Sequence, residues 1–476
     1  MHASAAGCVP TWPRRTGRTS VPSWKPGRIE PVARRRKRLP EGAFTARIES
    51  LAHDGRGVAR IDGKAVFIDG ALPGETVEFV YTWRRRSHDE GRVVRVLEAS
   101  PQRVEPRCPH AEVCGGCSLQ HLDPVAQIEA KQALLLENLA RLGKVEPARV
   151  LPPLQGPVWG YRRKARLGAR WVAKKGKVLV GFREKRDRRI ADLSRCEVLD
   201  PAVGQRIAAL SHLVGSLGIA DAVPQIEVAV GDAAAALVFR VLREPTREDR
   251  ERLVAFGKET GLRILLQPGG PETVTPLWPE APPDLCYRLP EAGGIELHFL
   301  PTDFTQVNAA INRAMVARAL ELLALDGSER VLDLFCGLGN FTLPIARQAR
   351  EVTGVEGEPG LVARARENAE RNGLGNLRFH VANLMDEEEL EQAPWLRETF
   401  DRILLDPPRS GAKEVTPRLG DLGAARILYV SCHPATLARD AGILVHELGY
   451  RLEAAGVMDM FPHTAHVESM ALFLRD

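Results

Sequence analysis

The 476-residue chain has few aromatic residues, at 5% of the sequence, and no run of about 18 consecutive uncharged apolar residues. Such a run is the signature of a membrane helix, so we expect no membrane span. The first residues also hold no apolar stretch of signal-peptide length, which favours a cytoplasmic protein. Cysteine is sparse at eight residues, and in such a chain the few cysteines indicate metal binding or catalysis rather than a disulfide framework.

Acidic residues are nearly missing from the first forty positions. Residues 1–40 hold ten Lys and Arg against Glu30 alone, a balance of +9. Because the whole chain carries +5, the remaining residues carry −4. Pro, Gly, Ser and Thr fill much of this segment, so we interpret residues 1–40 as a disordered basic leader. A solvated tail without function is the alternative.

A second basic block suggests contact with nucleic acid. Residues 160–195 contain fourteen Lys and Arg and three acids, interleaved with Tyr161, Trp171 and Phe182. Cations contact phosphates and aromatic rings stack on bases, so this mixture favours RNA binding. The alternative is one exposed face of a sheet.

Two folded regions are predicted ahead of residue 301. Residues 41–100 show five short β-rich runs, with Asp62-Gly63 as a hairpin turn, which predicts a small barrel of the OB type. Residues 101–300 predict a mixed α+β domain with a helix over Pro124–Leu142. A second helix is expected near Thr246–Gly261, where Thr246 can cap the first turn and Gly261 can end the last.

Residues 301–476 alternate strands and helices, which predicts an open, doubly wound α/β sheet of the Rossmann-like class. The predicted strands are Val331–Phe335, Glu351–Val355, Leu377–Val381, Asp401–Leu405 and Arg426–Val430, and the predicted helices are Ala363–Asn372 and Pro434–Leu448. Ligands of such sheets bind beyond the carboxyl ends of the strands.

The turn after the first of these strands favours S-adenosylmethionine as the ligand. Cys336-Gly337-Leu338-Gly339-Asn340 lets the backbone approach a ligand closely, while Thr342 stands where a dinucleotide fingerprint needs a third glycine. Glu356 ends the second strand, where a carboxylate can hold the ribose hydroxyls. Asn383 is either an adenine contact or a plain turn residue.

Two further strand ends carry residues suited to methylating a base. Asp406-Pro407-Pro408-Arg409 is typical of enzymes that methylate nitrogen or carbon of nucleobases. Cys432 lies between a strand and a helix start, a position that favours a thiolate, and a protonated His433 would favour it further. A thiolate that adds to C6 of uracil activates C5 for methylation, and a base must then remove the C5 proton. His463, His466 and Glu468 are equal candidates for that base on spacing alone.

Four cysteines form a possible metal site: Cys108, Cys114, Cys117 and Cys196. Four thiolates suit tetrahedral zinc or an iron–sulfur cluster, and spacing does not decide between them. The absence of a second CxxC pair leans towards iron–sulfur.

Taken together, these motifs resemble the RNA 5-methyluridine methyltransferases. The resemblance is carried by FTQVN at 304–308, DLFCGLGNF at 333–341, DPPR at 406–409, SCHPATLARD at 431–440 and FPHTAHVE at 461–468, and it covers residues 41–476. The barrel resembles a TRAM domain, and with the cysteine set it narrows the resemblance to members that act on bacterial 23S rRNA.

This resemblance implies roles for individual residues. Cys432 would be the nucleophile and Glu468 the base, with Phe304 and Gln306 near the target uridine. The residues at the family's S-adenosylmethionine positions are Gln306, Phe335, Asn340, Glu356, Asn383 and Asp406. The four cysteines would hold a [4Fe–4S] cluster, and the protein is expected to be a monomer. His433 departs from the family, where asparagine is expected.

Other functions remain as alternatives. A tRNA enzyme of the same family is the runner-up, although it is expected to lack the barrel and the cluster. An N6-adenine methyltransferase needs no nucleophilic thiol, and a 5-methylcytidine enzyme would place a cysteine after the Pro-Pro motif. A non-catalytic RNA-binding protein would not need the cofactor loop, the nucleophile and the base together.

Overall fold

The computed structural model describes residues 39–475. The described residues from 41 onwards form one compact unit. The predicted leader, residues 1–40, lies outside the described residues except for its last two positions. The boundaries predicted within 41–476 stay predictions. No helix in the described part of the chain is long and apolar enough to span a membrane.

The first folded region is a barrel-like sheet. Its six strands pair in the order β1-β5-β6-β4-β3-β2, and the two edge strands follow each other in the chain, which curls the sheet on itself. Asp62 (φ 50°) and Gly63 (φ 75°) make the predicted hairpin turn. The strands are β1 (Phe44–Arg47), β2 (Ser50–Leu51), β3 (Gly57–Ile61), β4 (Lys64–Asp69), β5 (Thr76–Arg84) and β6 (His88–Glu98).

The central region is built on one long helix and a second six-stranded sheet. The helix α1 (Pro124–Asn138) begins at Asp123, whose side chain accepts hydrogen bonds from the first turn, and it continues as a π-helical turn to Gly143. The strands are β7 (Arg149–Val150), β8 (Lys164–Val172), β9 (Lys177–Gly181), β10 (Gln225–Val230), β11 (Ala235–Arg240), β12 (Arg263–Gln267), β13 (Thr275–Trp278), β14 (Cys286–Leu289) and β15 (Ile295–His298). The sheet order is β13-β12-β11-β10-β8-β9, while β14 and β15 form a separate hairpin.

One helix of this region was expected after residue 150, and the structure has three: α2 (Pro201–Gly204), α3 (Ile207–Ser216) and α4 (Arg247–Thr260). The helix α4 is confirmed, with Thr246 and Asp249 in a capping box and Gly261 at φ 74°. The helix α3 was not predicted, because it is short and apolar and shows no clear helical periodicity in the sequence. Burial of Leu210 and Val214 against the rest of the fold stabilises it as a helix.

The last region is an eight-stranded sheet in the order β18-β17-β16-β19-β20-β22-β21-β7. Its strands are β16 (Arg330–Leu334), β17 (Glu351–Glu356), β18 (Leu377–Val381), β19 (Arg402–Leu405), β20 (Arg426–Ser431), β21 (Arg451–Met458) and β22 (Glu468–Leu474). Its helices are α5 (Ala309–Leu323), α6 (Thr342–Ala346), α7 (Pro359–Arg371), α8 (Glu387–Gln392) and α9 (Pro434–His446). The five predicted parallel strands are confirmed, and β22 runs antiparallel between β20 and β21.

The central region also contributes to this last sheet and its core. The strand β7 pairs with β21, and α1 packs against α9 and β21. Ile128, Leu135 and Leu139 are buried there with Leu437 and Val457. Helix α1 thus forms part of the layer that covers the sheet beside the proposed catalytic residues.

Candidate active site

The loops after β16 and β17 form a cradle at the carboxyl edge of the sheet. Phe335 (φ 64°), Gly337 (φ 55°) and Gly339 (φ 98°) all adopt the left-handed region, which folds the loop tightly. The Gly337 N–H donates to Glu356 Oε2 at 3.1 Å, and the Glu358 N–H donates to Oε1 at 3.0 Å. The Glu356 carboxylate is therefore fixed at the predicted ligand crevice.

Asn340 acts on the loop rather than pointing freely into the crevice. Its amide exchanges two hydrogen bonds of 2.9 Å with Asn312 on α5, and Tyr287 donates to its Oδ1 at 2.8 Å. These bonds tie the loop to α5 and to the β14–β15 hairpin. Asn383 is exposed, and its Oδ1 accepts the Met385 N–H at 3.1 Å, as a turn residue does.

Gln306 and Phe304 precede α5, whose first turn is capped by Asn308. Gln306 is half-buried, whereas Phe304 is 68% exposed, an unusual position for a phenylalanine. An exposed aromatic ring is suited to stacking on a base.

Asp333 is a buried acid that the sequence analysis did not single out. The Thr342 Oγ1 donates to its Oδ2 at 2.5 Å, while its Oδ1 has no hydrogen-bond partner among residues 39–475. Burial raises the pKa of Asp333 to about 7. An acid inside an otherwise apolar strand was the signal that could have found it.

Strand register brings the predicted nucleophile and base together. The pairing of β20 with β22 ends at Ser431 and Ser469, so Cys432 comes directly after the paired part of β20 and Glu468 directly before the paired part of β22. Glu468 is close enough to Cys432 to raise the pKa of its thiol. Residues that flank the last pair of an antiparallel ladder start from Cα atoms only about 4.5–5.5 Å apart, so they lie near each other. Two residues 36 positions apart in the sequence are thus neighbours.

The electrostatics of this pair favour the protonated forms. Burial raises the pKa of Cys432 to about 12, helped by Glu468 and Asp406 and opposed by Arg409. Burial also raises the pKa of Glu468 to about 8, helped by Asp406 and opposed by Arg409 and Lys131. The pKa of Asp406 rises to about 7 through burial. A cationic ligand in the crevice would therefore favour ionisation of all three groups.

The three histidines near the predicted nucleophile and base differ in their contacts, and burial lowers the pKa of each. His463 is buried, stacks on Trp159 at 4.0 Å and lies near Gln127, and burial lowers its pKa to about 4. The Arg409 Nη2 lies 2.9 Å from His466 Nδ1, and burial lowers the pKa of His466 to about 4. Burial and Arg409 also lower the pKa of His433, which disfavours the protonated His433 that would assist Cys432.

A cavity of about 1120 Å³ opens onto Cys432. Its walls come from the barrel, from residues 108–119 (the cysteine segment), from the end of α1 and from the loops that hold Arg409, Cys432 and His466. The lining residues include Asp54, Gly116, Arg141, Arg409, Cys432, Ala435 and His466. A space of this size can admit a nucleotide with its neighbours. The barrel and the cysteine segment therefore border the same opening as the candidate nucleophile.

The four predicted metal ligands line one cavity, together with Phe182 and Leu193. Burial raises the pKa of Cys114 to about 11 and of Cys117 to about 12, and the neighbouring cysteines raise both further. No three of the four sulfurs lie within 4.8 Å of one another, although all four cysteines are described. Around zinc, with Zn–S bonds of about 2.3 Å, tetrahedral sulfurs would be about 3.8 Å apart.

Cys286, Glu296 and His298 form a closer group on the β14–β15 hairpin, within 4.8 Å of one another. Their charged neighbours already pair with them. His298 lies 2.8 Å from Glu296 and 3.0 Å from Asp284, and Arg288 lies 2.6 Å from Glu296. This group is explained as an ion-pair cluster on the hairpin.

Known proteins share both the fold and the sequence of this chain. The family described as tRNA (uracil-5-)-methyltransferase matches residues 294–476, and the TRAM domain matches residues 43–78. The crystal structure of Pyrococcus abyssi tRNA (uracil-54, C5)-methyltransferase in complex with S-adenosyl-L-homocysteine aligns with a TM-score of 0.69 at 24% identity. That alignment covers 90% of this chain and 99% of that chain. The fold is that of a Rossmann-like methyltransferase.

Sequence relatives narrow this class. The chain is 56% identical to the 23S rRNA (uracil(1939)-C(5))-methyltransferase RlmD of Methylococcus capsulatus, over 93% of this chain and 99% of that protein. It is 57% identical to the protein of the same name from Alkalilimnicola ehrlichii, over 94% of this chain and 99% of that protein. The chain belongs to the RNA uracil-C5 methyltransferase family.

Proposed function

We propose that this protein transfers a methyl group from S-adenosylmethionine to C5 of a uridine in 23S rRNA, through a covalent bond between Cys432 and C6. The proposal is carried by Cys432 and Glu468, which flank the last residue pair of β20 and β22 and interact electrostatically beside the cavity. A nucleophile and a separate base on one side of a cavity match the two demands of C5 methylation.

The cofactor is proposed to lie along the loops after β16 to β19. Backbone N–H groups orient the Glu356 carboxylate to accept hydrogen bonds from the ribose hydroxyls of the cofactor. The left-handed residues Phe335, Gly337 and Gly339 fold the loop so that its backbone can approach the cofactor. Asn340 shapes this loop, and Gln306, Asn383 and Asp406 are proposed as further cofactor contacts. S-adenosylmethionine supplies an electrophilic methyl group on a sulfonium, whose positive charge suits this acidic pocket.

The reaction proposed for these residues balances in four steps. The Cys432 thiolate adds to C6 of uracil, and the electron pair shifts to an enolate across C4 and C5. C5 would then attack the methyl carbon of S-adenosylmethionine, the S–CH3 bond would break with its electron pair kept by sulfur, and S-adenosylhomocysteine would leave, while C5 keeps its original hydrogen. The Glu468 carboxylate removes that proton, the C5–C6 double bond reforms, and the thiolate of Cys432 leaves.

The substrate is proposed to be the U1939-type uridine of 23S rRNA, because the relatives at 56–57% identity are named for that site. A uridine of tRNA, the substrate in the name of the matching family, or a different uridine of rRNA is the alternative. Methyl incorporation into 23S rRNA fragments and into tRNA transcripts, measured side by side, separates the two substrates.

The mechanism is tested by two variants that interrupt different steps. Cys432→Ala should lose both methylation and any covalent RNA adduct, because addition at C6 comes first. Glu468→Gln is isosteric and removes only the base, so a methylated enzyme–RNA adduct should accumulate and survive a denaturing gel. General-base losses are about 10²–10⁴-fold, enough to make the adduct visible. Normal turnover by Glu468→Gln, with adduct trapped by His466→Ala, would reassign the base.

We further propose that Cys108, Cys114, Cys117 and Cys196 hold a [4Fe–4S] cluster. The four cysteines line one cavity, which brings four thiol ligands to one place. A cluster separates its cysteines further than one ion does, and it would keep these buried thiols ionised. All four side chains are used as ligands, which leaves a structural or RNA-facing role.

Protein purified without oxygen should be brown, with broad visible absorption from the thiolate-bound cluster. Cys114→Ala should abolish this absorption, and Cys286→Ala is the matched control, because Cys286 lies on the separate hairpin and should retain it. Colourless wild-type protein with one zinc per chain would contradict the iron–sulfur proposal.

A further inference from the structure

The turn 459–467 connects β21 to β22 and leads directly into Glu468. Its middle residue, His463, has φ 64°, a conformation that side chains other than glycine adopt at a cost. A turn with such a residue persists only when its surroundings hold it. The position of Glu468 therefore depends on what the turn contacts.

Two side chains of α1 hold the turn. Gln127 and Lys131 are four residues apart, on one face of the helix, and both are buried. The Gln127 Oε1 accepts the His463 N–H at 2.7 Å, and its Nε2 lies 3.2 Å from His463 Nδ1. Lys131 Nζ donates to Asp459 Oδ1 at 2.7 Å and to the Phe461 carbonyl at 3.0 Å.

The cysteine segment is joined to the same network. The backbone N–H groups of Ser118 and Leu119 donate to the His463 carbonyl, each at 2.9 Å. The Gln127 Nε2 donates to the Leu119 carbonyl at 3.0 Å. The segment that follows Cys117 and the turn that precedes Glu468 are thus bound to each other through Gln127.

We propose that Gln127 and Lys131 are positioning residues that hold the turn 459–467, and through it Glu468, for removal of the C5 proton. This inference rests on the proposed role of Glu468. Neither side chain lines the cavity that opens onto Cys432, so both act through the turn.

Charge adds to this mechanical role. The groups that act electrostatically on Glu468 are Asp406, which raises its pKa, and Arg409 and Lys131, which lower it. Lys131 is the only one of the three on α1. Its ammonium group favours the carboxylate that the proton transfer requires, so its removal should move ionisation of Glu468 to higher pH.

The test compares Lys131→Met, the conservative Lys131→Arg, Gln127→Leu and the control Glu129→Gln, which changes an exposed residue of the same helix. Two single-turnover rates are measured on the full-length protein: methyl transfer to RNA, and release of RNA from the adduct. Release should slow about 10- to 100-fold in Lys131→Met and Gln127→Leu, because small misplacements of a catalytic group cost that much. Methyl transfer and the KM for RNA should stay within about threefold in all four variants, and Lys131→Arg should recover most of the release rate.

Lys131→Met leaves Asp459 buried without its partner, which endangers folding. The double variant Lys131→Met/Asp459→Asn has no unpaired charge, and it should fold and still accumulate adduct, because the bond to Phe461 is lost. The pH at which its release rate levels off should lie above that of the wild type.

The outcomes separate this inference from the proposed function. If Glu468→Gln traps adduct while folded Lys131→Met and Gln127→Leu release RNA at the wild-type rate, the positioning role is wrong and the base stands. If methyl transfer and release fall together in parallel with the melting temperature, the residues are merely structural and the inference is overturned. If neither Glu468→Gln nor the α1 variants trap adduct, the base and the inference fail together.

Discussion

Two cysteines occupy equivalent places in the last sheet and have opposite surroundings. Cys336 follows β16 and Cys432 follows β20, so both lie at the carboxyl ends of parallel strands. Cys336 is only 5% exposed, and burial, Asp333 and Glu356 hold its pKa well above the usual range. Cys432 lines the large cavity and has Arg409 to offset part of its desolvation.

The comparison shows that a strand end alone does not make a nucleophile. Access to the substrate and a nearby cation are also required, because only the thiolate reacts and a buried thiolate is costly. Cys336 is buried, no cation is among the groups that shift its pKa, and its sulfur lies against Gly354 of β17.

The largest expected effect is the difference in methylation activity between alanine variants of the two cysteines. Cys432→Ala should abolish methylation, whereas Cys336→Ala should keep activity within about tenfold and lose about 1 kcal/mol of unfolding free energy. Methyl incorporation and denaturant unfolding measure the two quantities. An inactive but stably folded Cys336→Ala would show that the two cysteines share a role.

The next effect concerns the base beside Cys432. Because the pKa of Glu468 is raised to about 8, the rate of adduct release should rise about tenfold per pH unit below pH 8 and then level off. Asp406 raises that pKa, so Asp406→Asn should shift the rising part of the pH profile of adduct release to lower pH. The same variant should slow methyl transfer. A pH series of single-turnover release measures both, and a flat profile between pH 6 and about 8 would contradict this assignment.

Accessibility gives a smaller effect that separates the cysteines without turnover. Iodoacetamide should label Cys432 at least about tenfold faster than Cys336, because only Cys432 opens onto the cavity. Labelling of Cys432 should be slow at neutral pH, since its pKa is raised to about 12. The labelling rate should still be rising with pH at about pH 10, because the thiolate fraction is still growing there. Peptide mass spectrometry of the folded protein reads both sites, and equal labelling would refute the difference in access.

The sequence predicted the region around Cys336 better than the region around Cys432. The loop after β16, Glu356 and the five parallel strands depend on local patterns, so they could be predicted. The strands β21 and β22 were not predicted, so the pairing of β22 with β20 that brings Glu468 near Cys432 was missing. Spacing left Glu468, His463 and His466 equal, because burial and the contact of Gln127 with His463 join residues more than 300 positions apart.

The buried ion pair that holds the turn 459–467 could not be predicted from the sequence either. Lys131 and Asp459 are separated by 328 positions, and each would pass for a surface residue in its own segment. Helix α1 itself was predicted, but the face that it turns towards the sheet follows only from its packing on α9 and β21. Long-range pairing therefore accounts for most of what the sequence did not predict at this site.

The smallest expected effect tests the rigidity of the loop that contains Cys336. The Thr342 Oγ1 satisfies one oxygen of buried Asp333, and the other has no partner in the described part of the chain. Thr342→Val should therefore cost about 1–3 kcal/mol of unfolding free energy, since it leaves a buried polar group unpaired. Because this bond favours the carboxylate, its loss should raise the pKa of Asp333 above about 7, so the cost should be larger at pH 8 than at pH 5. Thr342→Ser keeps the hydroxyl and should stay within about 1 kcal/mol of the wild type. Denaturant unfolding at both pH values measures these differences, and an equal loss for the two variants would show that the methyl group, not the hydrogen bond, stabilises the loop.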